Sequence, residues 1–226
     1  MHSHLPPNFK QMLYIIATPI GNLQDITLRA IETLKAVDKI YCEDTRRTSK
    51  LLNHFDIKKP LESFHEHSEG KIERIVGELK NGDEIAYVSD AGTPGINDPG
   101  GKLVAAARTA GIGISPIPGV SSLTALLSVA GIAADKFCFM GFVPTKKGRE
   151  TFVKKILSSD APVVFFETAP RFHKLLDQLT AMGGESRVLV AGRELTKQFE
   201  QIEVGTPEEL KLSVPDPRGE FVLVLT

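Results

Sequence analysis

Residues 87–101 read YVSDAGTPGINDPGG. An apolar run from Glu84 to Val88 leads into this stretch, which then packs four glycines, two prolines and two aspartates before an Ala-rich helical pattern from Lys102 to Thr109. Glycine loses more backbone freedom on folding than any other residue. So glycine-rich a connection between a strand and a helix makes sense where a ligand must approach the backbone closely. In an open parallel sheet that place lies beyond the carboxyl ends of the strands.

Outward from this point, the same rhythm repeats. MLYIIAT (12–18) is apolar on both faces and reads as a strand. ITLRAIETLKAV places Leu28, Ile31 and Leu34 on one helical stripe. DKIYCE (38–43), EIAYVS (84–89) and GIGISPI (111–117) are further strands, and KIERIVGELK carries Ile72, Ile75, Val76 and Leu79 at helical spacing. This alternation of strand and helix predicts a mainly parallel sheet flanked by helices. PGVSSLTALLSVAGI (118–132) is apolar almost all round, which predicts a helix buried between layers. Beyond it come the strands KFCFMGF, APVVFFE, RVLVAG, FEQIEVG and EFVLVLT. The helix RFHKLLDQLTAMGG lies among them, with Phe172, Leu175, Leu176, Leu179 and Met182 on one face. In GTPEELKL, Thr206 is the N-cap and Pro207 the first helical residue. The short links among the last three strands predict antiparallel pairing. The expectation is an α/β fold in two domains, 1–117 with a mainly parallel sheet and 118–226 with a mixed one.

The 226 residues have ordinary globular composition, with 42% apolar and 24% charged residues. No apolar run is long enough to span a membrane, and MHSHLPPNFKQ lacks the pattern of a secretory signal. Cys42 and Cys138 have no paired spacing and fit a reducing, cytoplasmic setting. His65 and His67 flank Glu66 without a third cluster, so no metal site is expected. Net charge is −1, which confines any nucleic-acid contact to local patches. Two basic patches exist, RRTSK (Arg46, Arg47, Lys50) and KKGRETFVKK (Lys146, Lys147, Arg149, Lys154, Lys155); composition alone reads both as solvated helix faces.

The strand-end loops ATPIGN, CEDTR, SDAGTPG and IPGVSS, with FFETAPR and AGRELTK in the second half, supply glycine, aspartate and serine where a polar cofactor would need them. The same residues also belong to ordinary turn chemistry. The chain contains no GxxxxGK[ST], no GxGxxG opening a helix after a strand, and no GxSxG elbow.

In order, LYIIATPIGNLQDITLRA, EDTRRTSKLLNHF, SFHEHSE, VSDAGTPGINDPG, IPGVSSLTALLSVAG, GFVP, GRELTKQFEQ and RGEFVLV resemble the bacterial ribosomal RNA small subunit methyltransferase I family of the tetrapyrrole-methylase (class III) superfamily. The resemblance runs from about Leu13 to the end. It implies two α/β domains with S-adenosyl-L-methionine in the cleft between them, in a homodimer. The implied reaction is 2′-O-methylation of a cytidine ribose in the decoding region of small-subunit (16S) ribosomal RNA, within the 30S subunit, in the cytoplasm. By position, Ser89, Asp90, Ala91, Gly92, Ile96, Ser121, Ser122, Glu167 and Arg193 are implied cofactor contacts, and Pro19 and Gly21 face the acceptor. His65 lies near the substrate. Both basic patches become candidate RNA contacts, Arg46, Lys146 and Lys147 among them. Pro170 stands directly against Arg171, a departure from the Pro-x-Arg spacing of many relatives, and many relatives continue past the final strand into a helical segment.

Methyl transfer to a ribose hydroxyl needs alignment and a group to take the proton. Three carboxylates are candidates for that base: Glu43, Asp44 and Glu194. Asp44 has a competing role as a helix cap, and Glu194 as an ion-pair partner of Arg193 or Lys197. Two other readings are a small-molecule methylase acting on a tetrapyrrole and a cofactor-binding or ribosome-associated protein without catalysis.

Overall fold

A computed structural model describes residues 11–65 and 69–226; His67 lies outside the described residues. The chain divides into two compact units, the first running to Ser121 and the second Ser122–Thr226. The expected boundary after residue 117 falls at the end of a strand, just before this division.

The first unit is built from β1 (Met12–Ile16), α1 (Leu28–Ala36), β2 (Lys39–Cys42), α2 (Thr45–His54), β3 (Leu61–Ser63), α3 (Glu69–Lys80), β4 (Ile85–Val88), α4 (Gly100–Thr109) and β5 (Gly113–Ile117). Its five strands pair in the order β3-β2-β4-β1-β5, every neighbour parallel. Strands buried on both faces are the rule in such sheets, and the period of two sorts the side chains cleanly. Met12, Tyr14, Ile16, Ile40, Cys42, Ala86 and Val88 point to one face and pack with Ala30, Leu34 and Leu52 from α1 and α2. Leu13, Tyr41, Ile85 and Tyr87 point to the other and pack with Ile75, Leu79, Leu103 and Ala107 from α3 and α4. The sequence stripe on α1 needs one correction. Leu28 is 80% exposed, while Ala30, Thr33 and Leu34 are buried. Thr27 caps this helix by accepting the Ala30 N–H at 3.1 Å. The helix therefore starts at Leu28, whose side chain stands outside the buried stripe.

The second unit contains α5 (Ser122–Val129), β6 (Cys138–Phe142), α6 (Arg149–Leu157), β7 (Val163–Thr168), α7 (Ala169–Ala181), β8 (Leu189–Arg193), β9 (Gln201–Gly205), α8 (Pro207–Ser213) and β10 (Glu220–Leu225). The strand order is β6-β7-β10-β8-β9; β6 and β7 are parallel and the remaining pairs antiparallel. One face of this sheet packs Val163, Phe165, Leu189, Phe221 and Leu223 against Phe152, Val153, Phe172, Leu176 and Leu210 from α6, α7 and α8. Phe172 and Phe221 stack with centroids 4.2 Å apart. On the other face α5 lies close to the strands, because Gly192 has no side chain. A Cβ there would come within 2.7 Å of Leu126. α5 is not buried all round as its composition predicts: Leu123 and Leu126 are covered, and Val129 is 55% exposed. Within the second unit the sheet covers only one side of the helix. Thr206 and Glu209 complete a reciprocal capping box at the start of α8.

Candidate active site

In the first unit the parallel sheet presents the carboxyl ends of β1, β2 and β4 side by side, since β4 pairs with both neighbours. This register brings together segments far apart in sequence. Glu43, just past β2, accepts the Asp90 backbone N–H at 2.9 Å, and the Asp90 carboxylate accepts the Asp44 N–H at 2.9 Å. The two strand ends are thus latched by a reciprocal pair of charge-assisted hydrogen bonds, stronger than neutral ones.

The loop after β4 is fixed on three further sides. Gly92, at φ +78°, exchanges backbone hydrogen bonds with Thr18 at 2.8 and 2.9 Å. Only glycine takes this left-handed conformation without steric cost. Thr93 donates its hydroxyl to the Val120 carbonyl at 3.0 Å. Asp98 accepts three backbone N–H groups, from Gly95 (2.7 Å), Ile96 (3.1 Å) and Gly100 (2.7 Å). Its carboxylate thereby shapes the whole turn into α4. Gly100 is required here, because a Cβ would sit 2.6 Å from the Tyr87 ring. Burial and the nearby Asp98 push the Tyr87 hydroxyl far up, so it stays protonated and donates to Asp98 at 3.5 Å.

Beside this loop lies a cavity of about 610 Å³ lined by Glu43, Asp44, His65, Asp90, Asn97, Asp98 and Pro99. Its volume falls in the range of small-molecule sites, roughly 300–1,000 Å³. A second, smaller cavity of about 120 Å³ is lined by Thr18, Pro19, Leu23, Arg47, Thr48, Lys50, Leu51, Ser89 and Asp90.

The three candidate bases separate on electrostatics. Burial pushes the Glu43 carboxyl up, and the charges of Asp90 and Asp98 add to this, against the opposing Asp90 N–H and His65. Arg46 holds the Asp44 carboxyl well below the usual range through hydrogen bonds of 3.1 and 2.7 Å and its own N–H at 2.8 Å. Asp44 is the N-cap of α2. Burial works against charge on Glu194, but Lys197, the Glu220 N–H and Arg193 outweigh it and hold this carboxyl below its usual range as well. A base is more effective as its pKa rises toward the working pH, which favours Glu43.

Of the residues the sequence marks, Glu43, Asp44, His65 and Asp90 share the larger cavity, and Pro19 lines the smaller. Ala91 and Gly21 are exposed on their loops, Ile96 is 38% exposed, and Ser121 and Ser122 are half-buried at the entry to α5. Ser89 is buried and turns its hydroxyl back onto the carbonyls of Ala91 and Gly92 at 3.3 and 3.5 Å. Arg46 is exposed but spent on Asp44. In the second unit, Lys146 and Lys147 are exposed ahead of α6. Arg193 donates to the Arg218 carbonyl at 2.9 Å and to Gln201 at 3.2 Å.

Two expectations are corrected. Glu167, placed by sequence among the cofactor contacts, is fully buried. One oxygen meets Arg149 at 3.0 Å; the other meets Arg171 at 2.7 Å and the Thr168 N–H at 2.8 Å. Both carboxylate oxygens are consumed by the fold. Arg149, read as part of a basic surface patch, is that buried partner and is only 4% exposed. Sequence reading also missed Asp98, whose position just before Pro99-Gly100 at a helix start was the available signal.

Residues 12–211 match the tetrapyrrole (corrin/porphyrin) methylases. The chain is 46% identical over 220 residues to the ribosomal RNA small subunit methyltransferase I of Haemophilus influenzae, covering 95% of this chain and 78% of that protein. The chain belongs to the tetrapyrrole methylase family, in the ribosomal RNA small subunit methyltransferase I branch. This methylase is also 43% identical over 221 residues to the protein of the same name from Leptospira biflexa, with coverage of 96% and 91%. Among solved structures it resembles diphthine synthase at a TM-score of 0.73 and 17% identity, with coverage of 95% and 88%. It also resembles uroporphyrin-III-C-methyltransferase from Thermus thermophilus at 0.67 and 19%, with coverage of 95% and 94%. At such identities the likeness is one of fold. Among the described residues no helix is long and apolar enough to cross a membrane, and no group of three or more His, Cys, Asp or Glu is placed to hold a metal ion.

Proposed function

We propose that this methylase transfers a methyl group from S-adenosyl-L-methionine to the 2′-hydroxyl of a cytidine ribose in the decoding region of small-subunit ribosomal RNA, presented within the 30S subunit to a homodimer in the cytoplasm. The relatives named for small-subunit RNA methylation support the substrate class. The observation that carries the reaction type is Glu43, a half-buried carboxylate with a raised pKa on the wall of a ligand-sized cavity.

The cavity suits a positively charged donor, because Glu43, Asp44, Asp90 and Asp98 line it with carboxylates. When bound, S-adenosyl-L-methionine supplies an activated methyl group on a sulfonium centre. Asp90, Ala91, Gly92 and Ile96 are the residues proposed to hold it, on a loop kept in place by Asp98 and by the Thr18–Gly92 bridge. Ser121, Ser122 and Arg193 are proposed as further contacts. Glu43 accepts the proton of the acceptor hydroxyl, while its hydrogen bond from the Asp90 N–H fixes the orientation of the carboxylate. Pro19, Gly21, His65, Lys146 and Lys147 are proposed to face the RNA.

The test is methyl transfer from labelled S-adenosyl-L-methionine to three acceptors in parallel: 30S subunits from cells lacking the modification, naked small-subunit RNA and a tetrapyrrole precursor. Alkali-resistant 2′-O-methyl cytidine in the RNA is the expected product. Label in the tetrapyrrole, or in no acceptor, would overturn the reading.

A further inference from the structure

Asp90 lines both of these cavities, and the two differ in chemistry. On one side of it stand the carboxylates Glu43, Asp44 and Asp98. On the other stand Arg47 and Lys50, above an apolar floor of Pro19, Leu23 and Leu51. We propose that this smaller cavity is a subsite for one nucleotide unit of the RNA, with Arg47 and Lys50 gripping a backbone phosphate and the apolar floor packing against its sugar. The proposal rests on the RNA-methylation reading above.

Three observations lead here. First, Arg47, Lys50 and Leu51 stand at i, i+3 and i+4 on α2, which puts the two cations side by side with Cβ atoms roughly 5–6 Å apart. That spacing lets both reach a single phosphate group. Second, the cations are not equally committed. Arg46 is bound to Asp44 through both ends of its guanidinium, whereas Arg47 reaches Asp90 only at 3.6 Å and its side chain is 63% exposed. Arg47 is therefore the arginine of this helical turn that is able to swing toward an incoming anion. Third, size divides the two cavities. About 120 Å³ lies well below the roughly 300–1,000 Å³ of sites for drug-sized ligands, a size that suits a phosphate or a sugar rather than an adenosyl cofactor. The neighbouring 610 Å³ has room for one. A polyanion and a cationic donor thus meet opposite signs of charge on either side of one aspartate.

The test compares wild type, the pair Arg47→Gln/Lys50→Gln, the charge-keeping pair Arg47→Lys/Lys50→Arg, and Lys58→Gln, an exposed cation outside the cavity and paired with Asp56. Binding of small-subunit RNA is followed by fluorescence anisotropy across a salt series, with KM and kcat for methyl transfer measured beside it. The glutamine pair is expected to raise KM for RNA about tenfold with little change in saturated kcat, and to flatten the log K against log salt slope by roughly one for each phosphate that is no longer neutralised. The charge-keeping pair should restore the slope, and Lys58→Gln should match wild type. Unchanged KM and slope in the glutamine pair, with methyl transfer to RNA intact, would overturn the subsite and leave the functional reading standing. RNA binding whose slope depends on Arg47 and Lys50, without methyl transfer to any RNA, would uphold the subsite and sink the reading. Equal losses in Lys58→Gln would mean diffuse charge attraction and would overturn the subsite.

Discussion

Glu43 and Glu167 occupy matching places in the two units. Each lies within one residue of a strand's carboxyl end, each is followed within four residues by an arginine at a helix start, and in sequence EDTR and ETAPR look alike. The fold treats them in opposite ways. Glu43 is held by a backbone N–H and keeps a wall of a cavity, with a raised pKa. Glu167 is enclosed by two arginines and a backbone N–H, at zero exposure. A strand-end carboxylate becomes chemistry when its partners are backbone groups that leave its charge uncompensated. It becomes scaffold when guanidinium groups neutralise it.

The largest effect expected from this contrast is on catalysis. Glu43→Gln keeps an acceptor for the Asp90 N–H but removes the base, and methyl transfer should fall about 10²–10⁴-fold, read in single-turnover assays at saturating cofactor. The pH profile sharpens the point. Only the deprotonated Glu43 accepts a proton, so the wild-type rate should decline as pH falls through a pKa above the ordinary carboxylate value. The residual rate of the glutamine variant should lack that limb. Glu167→Gln should do the reverse, costing about 3–5 kcal/mol of stability, because the buried Arg149 and the half-buried Arg171 lose their counter-charge. Urea unfolding checks this, and a full-strength kcat in whatever fraction remains folded is expected. Should Glu167→Gln instead abolish turnover in a protein of normal stability, the contrast would be broken.

Smaller effects probe the scaffold around each site. Asp98→Ala strands three loop N–H groups and should cost about 1–3 kcal/mol, with weaker cofactor binding by calorimetry as its functional signature. Thr206→Ala removes the capping box of α8, remote in the sequence from either glutamate, and should cost about 1 kcal/mol with no change in kcat.

The parallel sheet was legible because its strands are apolar on both faces and alternate with helical stripes. The site was legible only in pieces. EDTR and SDAG announce themselves as strand-end loops, but their contact depends on β2 lying next to β4, a matter of sheet order that no local pattern encodes. Arg171, four residues on across the junction of β7 and α7, could be paired with Glu167 from its nearness in sequence. Arg149 could not: it sits 18 residues upstream, within a run of lysines that reads as solvated surface. The covering of α5 was misread for a related reason. Composition tells how apolar a helix is, whereas its burial depends on what is packed against each side. Asp98 escaped notice because Asn-Asp-Pro-Gly is also what an ordinary turn looks like.

The two-way backbone bridge between Thr18 and Gly92 has a consequence for motion. Each residue donates to the other, so separating the two loops at this point breaks both bonds and exposes both amides. In hydrogen exchange the two amides should therefore lose protection together and at one rate. The loop that carries Pro19 and the loop that carries Asp90 would then behave as a single rigid lever, and a displacement felt at one would be delivered to the other undiminished.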